Sequence, residues 1–212
     1  MARHIEPVCK LCRRESIKLF LKGTRCLSSK CAIERRSYIP GQHGPNSKAK
    51  RTKTSDYSLQ LREKQKMRRM YGVLERQFER YFNMASKGRG VTGAELLILL
   101  ERRLDNVVYR MGFAPSRSAA RQLVAHAHFD MNGHPVDVPS YLVKSGDKIT
   151  VRDVSRKLPY FKTLVADSDT PMMPTWISAD RSTLAASIQM LPKREDIDVP
   201  LKEQLVVEYY SR

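Results

Sequence analysis

All four cysteines of the chain fall within CKLCRRESIKLFLKGTRCLSSKC, a stretch that also carries Arg13, Arg14, Lys18, Lys22, Arg25 and Lys30. Cys9 and Cys12 form a C-x2-C pair, Cys26 and Cys31 a C-x4-C pair, and thirteen residues separate the two pairs. Each short pair bends the chain so that two thiolates face one centre, which is the spacing of a closed tetrahedral metal site. The neighbouring cations favour the thiolate form and offset the residual negative charge of four sulfurs. Zn2+ suits such a set, and an iron–sulfur cluster is the alternative, since both accept four thiolates. With every ligand a protein sulfur, no position is left for water or substrate, so the expected metal is structural. Free thiols, redox pairs and disulfides are the competing readings, and disulfides need an oxidising compartment.

Two other spacings imitate sites of chemistry. His4-x-Glu6 with Pro7, Cys9 and Cys12 is similar to the zinc deaminase signature, but its halves nearly touch and a residue separates the proline from the cysteine. Gly88-Arg-Gly90-Val-Thr-Gly93 matches G-x-G-x-x-G, yet it follows a predicted helix and not a strand, so the dinucleotide context is missing. There is no P-loop and no nucleophile elbow, and the five histidines are scattered. The chain is therefore expected not to be an enzyme and to take no small-molecule substrate.

Charge indicates the partner. Lys and Arg number 39 against 22 Asp and Glu, a net charge of +17 over 212 residues. Residues 1–70 hold 19 of the basic and 5 of the acidic side chains, so the excess is concentrated at the front. A polyanion, nucleic acid first, matches that balance. No apolar run approaches the roughly 18 residues of a membrane span, and the N-terminus lacks the apolar core of a secretory signal; a cytoplasmic protein with no membrane partner is expected.

The elements that must hold these charges can be read from periodicity. Residues 35–56 are rich in Gly, Pro, Ser and Lys and read as an extended basic arm, carrying Arg35, Arg36, His43, Lys48, Lys50, Arg51 and Lys53, which orders only on binding. Residues 57–71 predict a polar helix with Arg62, Lys66 and Arg69 at helical spacing, broken by Gly72. Leu74, Phe78, Tyr81, Phe82 and Ala85 then mark the buried stripe of an amphipathic helix. From Thr92, read as a capping box with Glu95, one helix is expected through Leu96, Leu100, Leu104, Val107, Val108 and Met111 to Gly112.

A shorter helix opens at Ser116 and runs to about Ala125, with Ala120, Leu123 and Val124 inward and Arg117, Arg121 and Gln122 outward. Strands are expected at 129–131, at 136–138 after the Asn132-Gly133 turn, and at 148–154. Residues 184–190 are ambiguous between strand and helix, and the terminal EQLVVEYYSR is apolar enough to pack.

The segment SRSAARQLVAHAHFDMNGHPVDVPSYLVKSGDKI resembles the RNA-binding module shared by small-subunit ribosomal protein four, certain pseudouridine synthases and some aminoacyl-tRNA synthetases. PGQHG at 40–44, YGVLERQFERYF at 71–82, LERRLDNVVYRMGF at 100–113 and the terminal EQLVVEYYSR are similar to the bacterial ribosomal family itself, in a cysteine-bearing variant. The resemblance implies an α+β fold: an N-terminal four-cysteine metal-binding segment and a helical domain, with an inserted small module of helix hairpin and antiparallel strands. The expected division is 1–45 for the metal segment, 46–92 with 182–212 for the helical domain, and 93–181 for the module.

That family membership further implies a structural constituent of the small ribosomal subunit. Such a protein is a primary binder of the 5′ domain of small-subunit ribosomal RNA, nucleates assembly of the subunit body and contributes to translational accuracy. Its partners would be that RNA, neighbouring small-subunit proteins, and messenger RNA where it enters the subunit. Expected RNA contacts are Arg13, Arg14, Arg35, Arg36, His43, Lys48, Lys50, Arg51, Lys53, Arg62, Lys66, Arg69, Arg117, Arg121, Gln122, His126, His128 and Asn132. On this reading the α-helix N-terminus at Ser116 offers free N–H groups to a phosphate, and charge reversal at Arg121 weakens RNA binding without unfolding the chain. A metal-bearing nucleic-acid-binding regulator is the alternative.

Overall fold

The computed structural model describes residues 4–42, 44, 55–167 and 173–211. Of the basic arm, His43, Lys48, Lys50, Arg51 and Lys53 lie outside the described residues. The chain divides into two compact units, residues 1–96 with 199–212 and residues 97–198.

The first unit begins with the cysteine segment: helix α1 (Cys9–Glu15), a 3-10 turn (Gly23–Cys26) and helix α2 (Ala32–Arg35). Helix α3 (Asp56–Met70) starts where Ser55 Oγ accepts the Ser58 N–H at 3.3 Å, and its last turn carries Arg68 and Arg69, which suit the negative end of the helix dipole. Gly72, at φ 65°, makes the left-handed break into α4 (Glu75–Ala85). The expected stripe of α4 is its buried face: Phe78, Tyr81, Phe82 and Ala85.

Helix α10 (Glu203–Tyr210) closes this core along α3. Its Tyr210 ring stacks on Phe82 at 4.5 Å between centroids, and Val206 is fully buried. Buried Lys64 of α3 bonds Glu75 Oε1 at 2.8 Å and lies 4.3 Å from the Tyr209 ring, so a cation on a polar helix becomes part of the clasp.

Helix α5 (Thr92–Glu101) opens beside α10. A Cβ on Gly93 would come within 2.8 Å of Glu203 Cγ, and one on Gly90 within 2.7 Å of Glu95 Oε1. Close packing therefore accounts for Gly93 of the G-x-G-x-x-G spacing, while at Gly90 the Glu95 side-chain tip can move aside.

The single helix expected from Thr92 to Met111 is two: α5 ends at Glu101 and α6 runs Leu104–Arg110. Arg103 sits between them in extended conformation (ψ 136°) and bridges to Leu142. The Leu104 N–H donates to Tyr141 O at 2.8 Å, and the Val143 N–H donates to Arg102 O at 3.0 Å. Long-range backbone bonds thus replace the helical ones, while the apolar spacing continues across the break.

In the second unit α6 pairs with α7 (Arg117–Ala125), whose N-cap Ser116 accepts the Ala119 N–H at 3.3 Å. The hairpin covers an antiparallel sheet of β1 (Phe129–Met131), β2 (His134–Val136), β3 (Lys148–Val151), β4 (Ile177–Asp180) and β5 (Ala185–Ile188), in the order β2-β1-β3-β5-β4. Asn132 and Gly133, at φ 51° and 84°, make the tight turn of the first hairpin. Leu104, Val108 and Val124 from the helices and Phe113 from the loop between them meet Phe129, Ile149, Trp176 and Ile188 in one core.

Three expectations change here. The second strand is 134–136 and not 136–138; the third stops at Val151, where α8 (Asp153–Arg156) and α9 (Pro159–Ala166) begin. The ambiguous 184–190 segment contains β5, which pairs with both β3 and β4, so a module boundary at 181 would cut a hairpin. Alternating burial along β5 arises because Ala186 and Ile188 face the core on one side of the sheet.

Candidate nucleic-acid interface

Local folding brings the four cysteines together. Cys9 and Cys12 stand one turn apart on α1, Cys26 ends the 3-10 turn, and Cys31 is the N-cap of α2. All four are free thiols, with Cys12, Cys26 and Cys31 buried and Cys9 half-buried. Burial pushes the Cys12 thiol up, a hydrogen bond with the Leu19 backbone opposes this, and Cys26, Cys9 and Cys31 each act on it electrostatically. The Lys22 N–H donates to Cys26 Sγ at 3.3 Å, the kind of backbone donor that supports a metal-bound thiolate. Among the described residues, no group of three or more His, Cys, Asp or Glu side chains is placed so as to hold a metal ion. Four thiol donors within one short segment are the donor chemistry that a four-sulfur site would use.

Glu15, at the end of α1, ties this segment to α3. Its carboxylate is 2% exposed and accepts from Arg62 at 2.5 Å and from Arg69. Lys66 pairs with Glu63 at 2.6 Å. The three cations expected to face RNA from this helix therefore carry internal carboxylate partners. Arg13 is similarly engaged: its Nε donates to Tyr38 O at 3.0 Å, and its guanidinium lies over the Tyr38 ring. Arg14, Arg35 and Arg36 are exposed.

The hairpin of the second unit holds its expected contacts through a buried polar network. Arg103 is fully buried and grips Asp105 with two bonds, Nε to Oδ1 at 3.0 Å and Nη2 to Oδ2 at 2.5 Å. Arg121 Nη1 bonds the same Asp105 Oδ2 at 3.0 Å. Arg117 Nε donates to Asn106 Oδ1 at 2.7 Å and lies 4.6 Å over the Tyr109 ring. Asn106 in turn donates to buried Glu101, which Arg110 holds through both carboxylate oxygens. Arg117 and Arg121 are thus half-buried and anchored, not freely outward as expected.

Gln122 and His126 are exposed beyond them. His128 Nδ1 bonds Ser155 Oγ at 2.9 Å, and burial, with the charges of His126 and Arg152, lowers its pKa. Asn132, expected at the RNA, has both ends of its amide in use, donating to Asp147 at 2.9 Å and accepting from the Lys148 N–H at 2.8 Å.

One charged face was missed by sequence reasoning. Arg76, Glu79, Arg80, Asn83 and Met84 on the outer side of α4, with Lys87 in the turn after it, line a shallow cavity of about 360 Å³. The signal was present as cations at helical spacing opposite the apolar stripe.

A helical unit with a basic cysteine segment, and a hairpin-on-sheet module with anchored arginines, define an RNA-binding protein. Comparison with known families agrees: the Ribosomal protein S4/S9 N-terminal domain matches residues 3–101 and the S4 domain matches residues 102–149. The uS4A protein of Symbiobacterium thermophilum is 57% identical over 212 residues, covering all of both chains. The uS4 proteins of Natranaerobius thermophilus and Pelotomaculum thermopropionicum are each 55% identical over the same full length. The chain belongs to the uS4 family of small ribosomal subunit proteins.

Proposed function

We infer that this chain is a structural, non-enzymatic constituent of the small ribosomal subunit, working in the cytoplasm by binding small-subunit ribosomal RNA beside neighbouring ribosomal proteins. The observation that carries this reading is identity above 50% from end to end with proteins of that name. No described helix is long and apolar enough to cross a membrane.

The finer reading is a primary contact with the 5′ domain of the RNA, nucleation of the subunit body and a part in translational accuracy, with messenger RNA passing nearby. Rigid surfaces bearing Arg and Lys suit this task, because folded RNA is recognised by shape, phosphates and 2′-hydroxyls. Anchoring by Asp105 and Asn106 lowers the entropy lost when Arg121 and Arg117 meet a phosphate. The exposed Arg14, Arg35, Arg36, Gln122 and His126 are the other described contacts of this reading.

Cys9, Cys12, Cys26 and Cys31 would hold Zn2+, with an iron–sulfur cluster as the alternative. The bound group would supply folding free energy, about 10 kcal/mol in small zinc peptides, to a segment with few apolar side chains to bury. Glu15 then carries that rigidity to α3.

Crosslinking in cells followed by sequencing of the attached RNA tests the whole reading. Reads concentrated on the 5′ domain of small-subunit ribosomal RNA are expected. Reads spread over messengers, or recovery of DNA, would replace it with a metal-bearing nucleic-acid-binding regulator.

A further inference from the structure

Helix α4 has a second face that the core does not use. While Phe78, Tyr81, Phe82 and Ala85 are buried, Arg76, Arg80, Asn83 and Lys87 are exposed around the cavity of about 360 Å³. Arg76 and Arg80 are four residues apart on α4, so they are separated by about 6 Å along the helix axis, and Lys87 follows in the turn just past the helix end. That step is comparable to the distance between successive phosphates of a nucleic-acid strand.

Their charges are also uncommitted. Arg62, Arg69 and Arg121 are paired with internal carboxylates, whereas Arg76, Arg80 and Lys87 make no ion pair with a described residue. Glu79 is the one carboxylate of the six lining residues, which leaves the cavity cationic. Aligned, unpaired cations repel one another, and a polyanion laid along them relieves that repulsion.

We propose that the outer face of α4 is a phosphate-binding site for one strand of ribosomal RNA, held by Arg76, Arg80 and Lys87. The planar fork of arginine bonds phosphate through two donors. Asn83 and Glu79 supply the amide and carboxylate that meet ribose hydroxyls and base edges between the phosphates. Phe78 and Phe82, packed under Tyr210, back the site and keep the cations in line. This proposal rests on the ribosomal-RNA reading above and assigns it a specific face.

The test is fluorescence anisotropy of the full, metal-loaded chain with a transcript of the small-subunit 5′ domain, across a salt series. Each phosphate contact contributes about 0.7–0.9 to the slope of log K against log salt. The triple variant Arg76→Gln, Arg80→Gln, Lys87→Gln is expected to lower that slope by about 2 and to weaken binding roughly 10- to 100-fold near 0.1 M salt. Glutamine is a good helix former on an exposed face, so the helix is retained.

A control with the same charge change, Lys157→Gln, Lys162→Gln, Lys193→Gln, is expected to move the slope by less than 1. Equal effects of the two triples would overturn the proposal. Arg76→Lys with Arg80→Lys should preserve the slope; a loss as large as with glutamine would overturn it too. Failure of the unaltered chain to prefer this transcript over an unrelated RNA of equal length would sink the ribosomal reading itself, a separate result.

Discussion

Arg121 Nη1 lies 3.0 Å from Asp105 Oδ2, the same oxygen that takes Nη2 of the fully buried Arg103 at 2.5 Å. One carboxylate therefore neutralises a buried cation and aims a half-buried one. Asp105→Asn would leave Arg103 without its counter-charge, and a loss of about 3–5 kcal/mol is expected in urea unfolding. An unchanged midpoint would show that the pair contributes nothing net.

The same geometry alters what charge reversal does at Arg121. Glutamate there would face Asp105 across a short gap, so Arg121→Glu is expected to destabilise the module by about 1–3 kcal/mol as well as weaken RNA binding. Arg121→Gln should separate the two, with a smaller stability loss measured by the same unfolding curve.

Glu15 links the cysteine segment to α3 through Arg62 and Arg69. Glu15→Gln removes the charge from both bonds and is expected to cost about 1–3 kcal/mol. Hydrogen exchange should quicken in α1 and α2 more than in α4; uniform quickening would count against a local tether.

With Zn2+ in the proposed four-sulfur site, Cys26→Ser is expected to release it, read by elemental analysis, and to loosen residues before about 45 while the sheet of the second unit keeps its exchange protection. Retention of metal at the unaltered stoichiometry would remove Cys26 from the ligand set.

Burial raises the Glu75 pKa, but hydrogen bonds from Lys64 and Tyr210 and the charges of Lys64 and Arg68 outweigh it, so the pKa is lowered. A carboxylate lowered on folding contributes stability above its unfolded pKa, and that contribution is lost as pH falls through the folded value. The unfolding midpoint is expected to drop as pH falls below the ordinary glutamate value of about 4.3, and less steeply in Glu75→Gln. Parallel profiles would place the acid sensitivity elsewhere.

Some of this was readable from spacing because the causes are local. Ser116 caps α7 through an N–H three residues on, Asn132-Gly133 turns a hairpin between adjacent strands, and Phe78 and Phe82 repeat at helical period. Each involves neighbours within a few residues, where propensity and periodicity act. The break at Arg103 was hidden, because its bonds reach Tyr141 and Val143 about 40 residues away while the apolar pattern runs on unbroken. β5 was hidden for the same reason, since its strand identity rests on pairing with β3 and β4.

By itself, then, the sequence determined the family, the cationic front, the cysteine spacing and most element types, since these follow from composition, motif and local period. Only the tertiary structure decided which cations are committed. Glu15 reaches Arg62 across 47 residues and Asp105 reaches Arg121 across 16, while Arg76, Arg80 and Lys87 pair with no described carboxylate. Charge is a property of the residue, but its availability to a partner depends on which carboxylates the fold brings within a few ångströms.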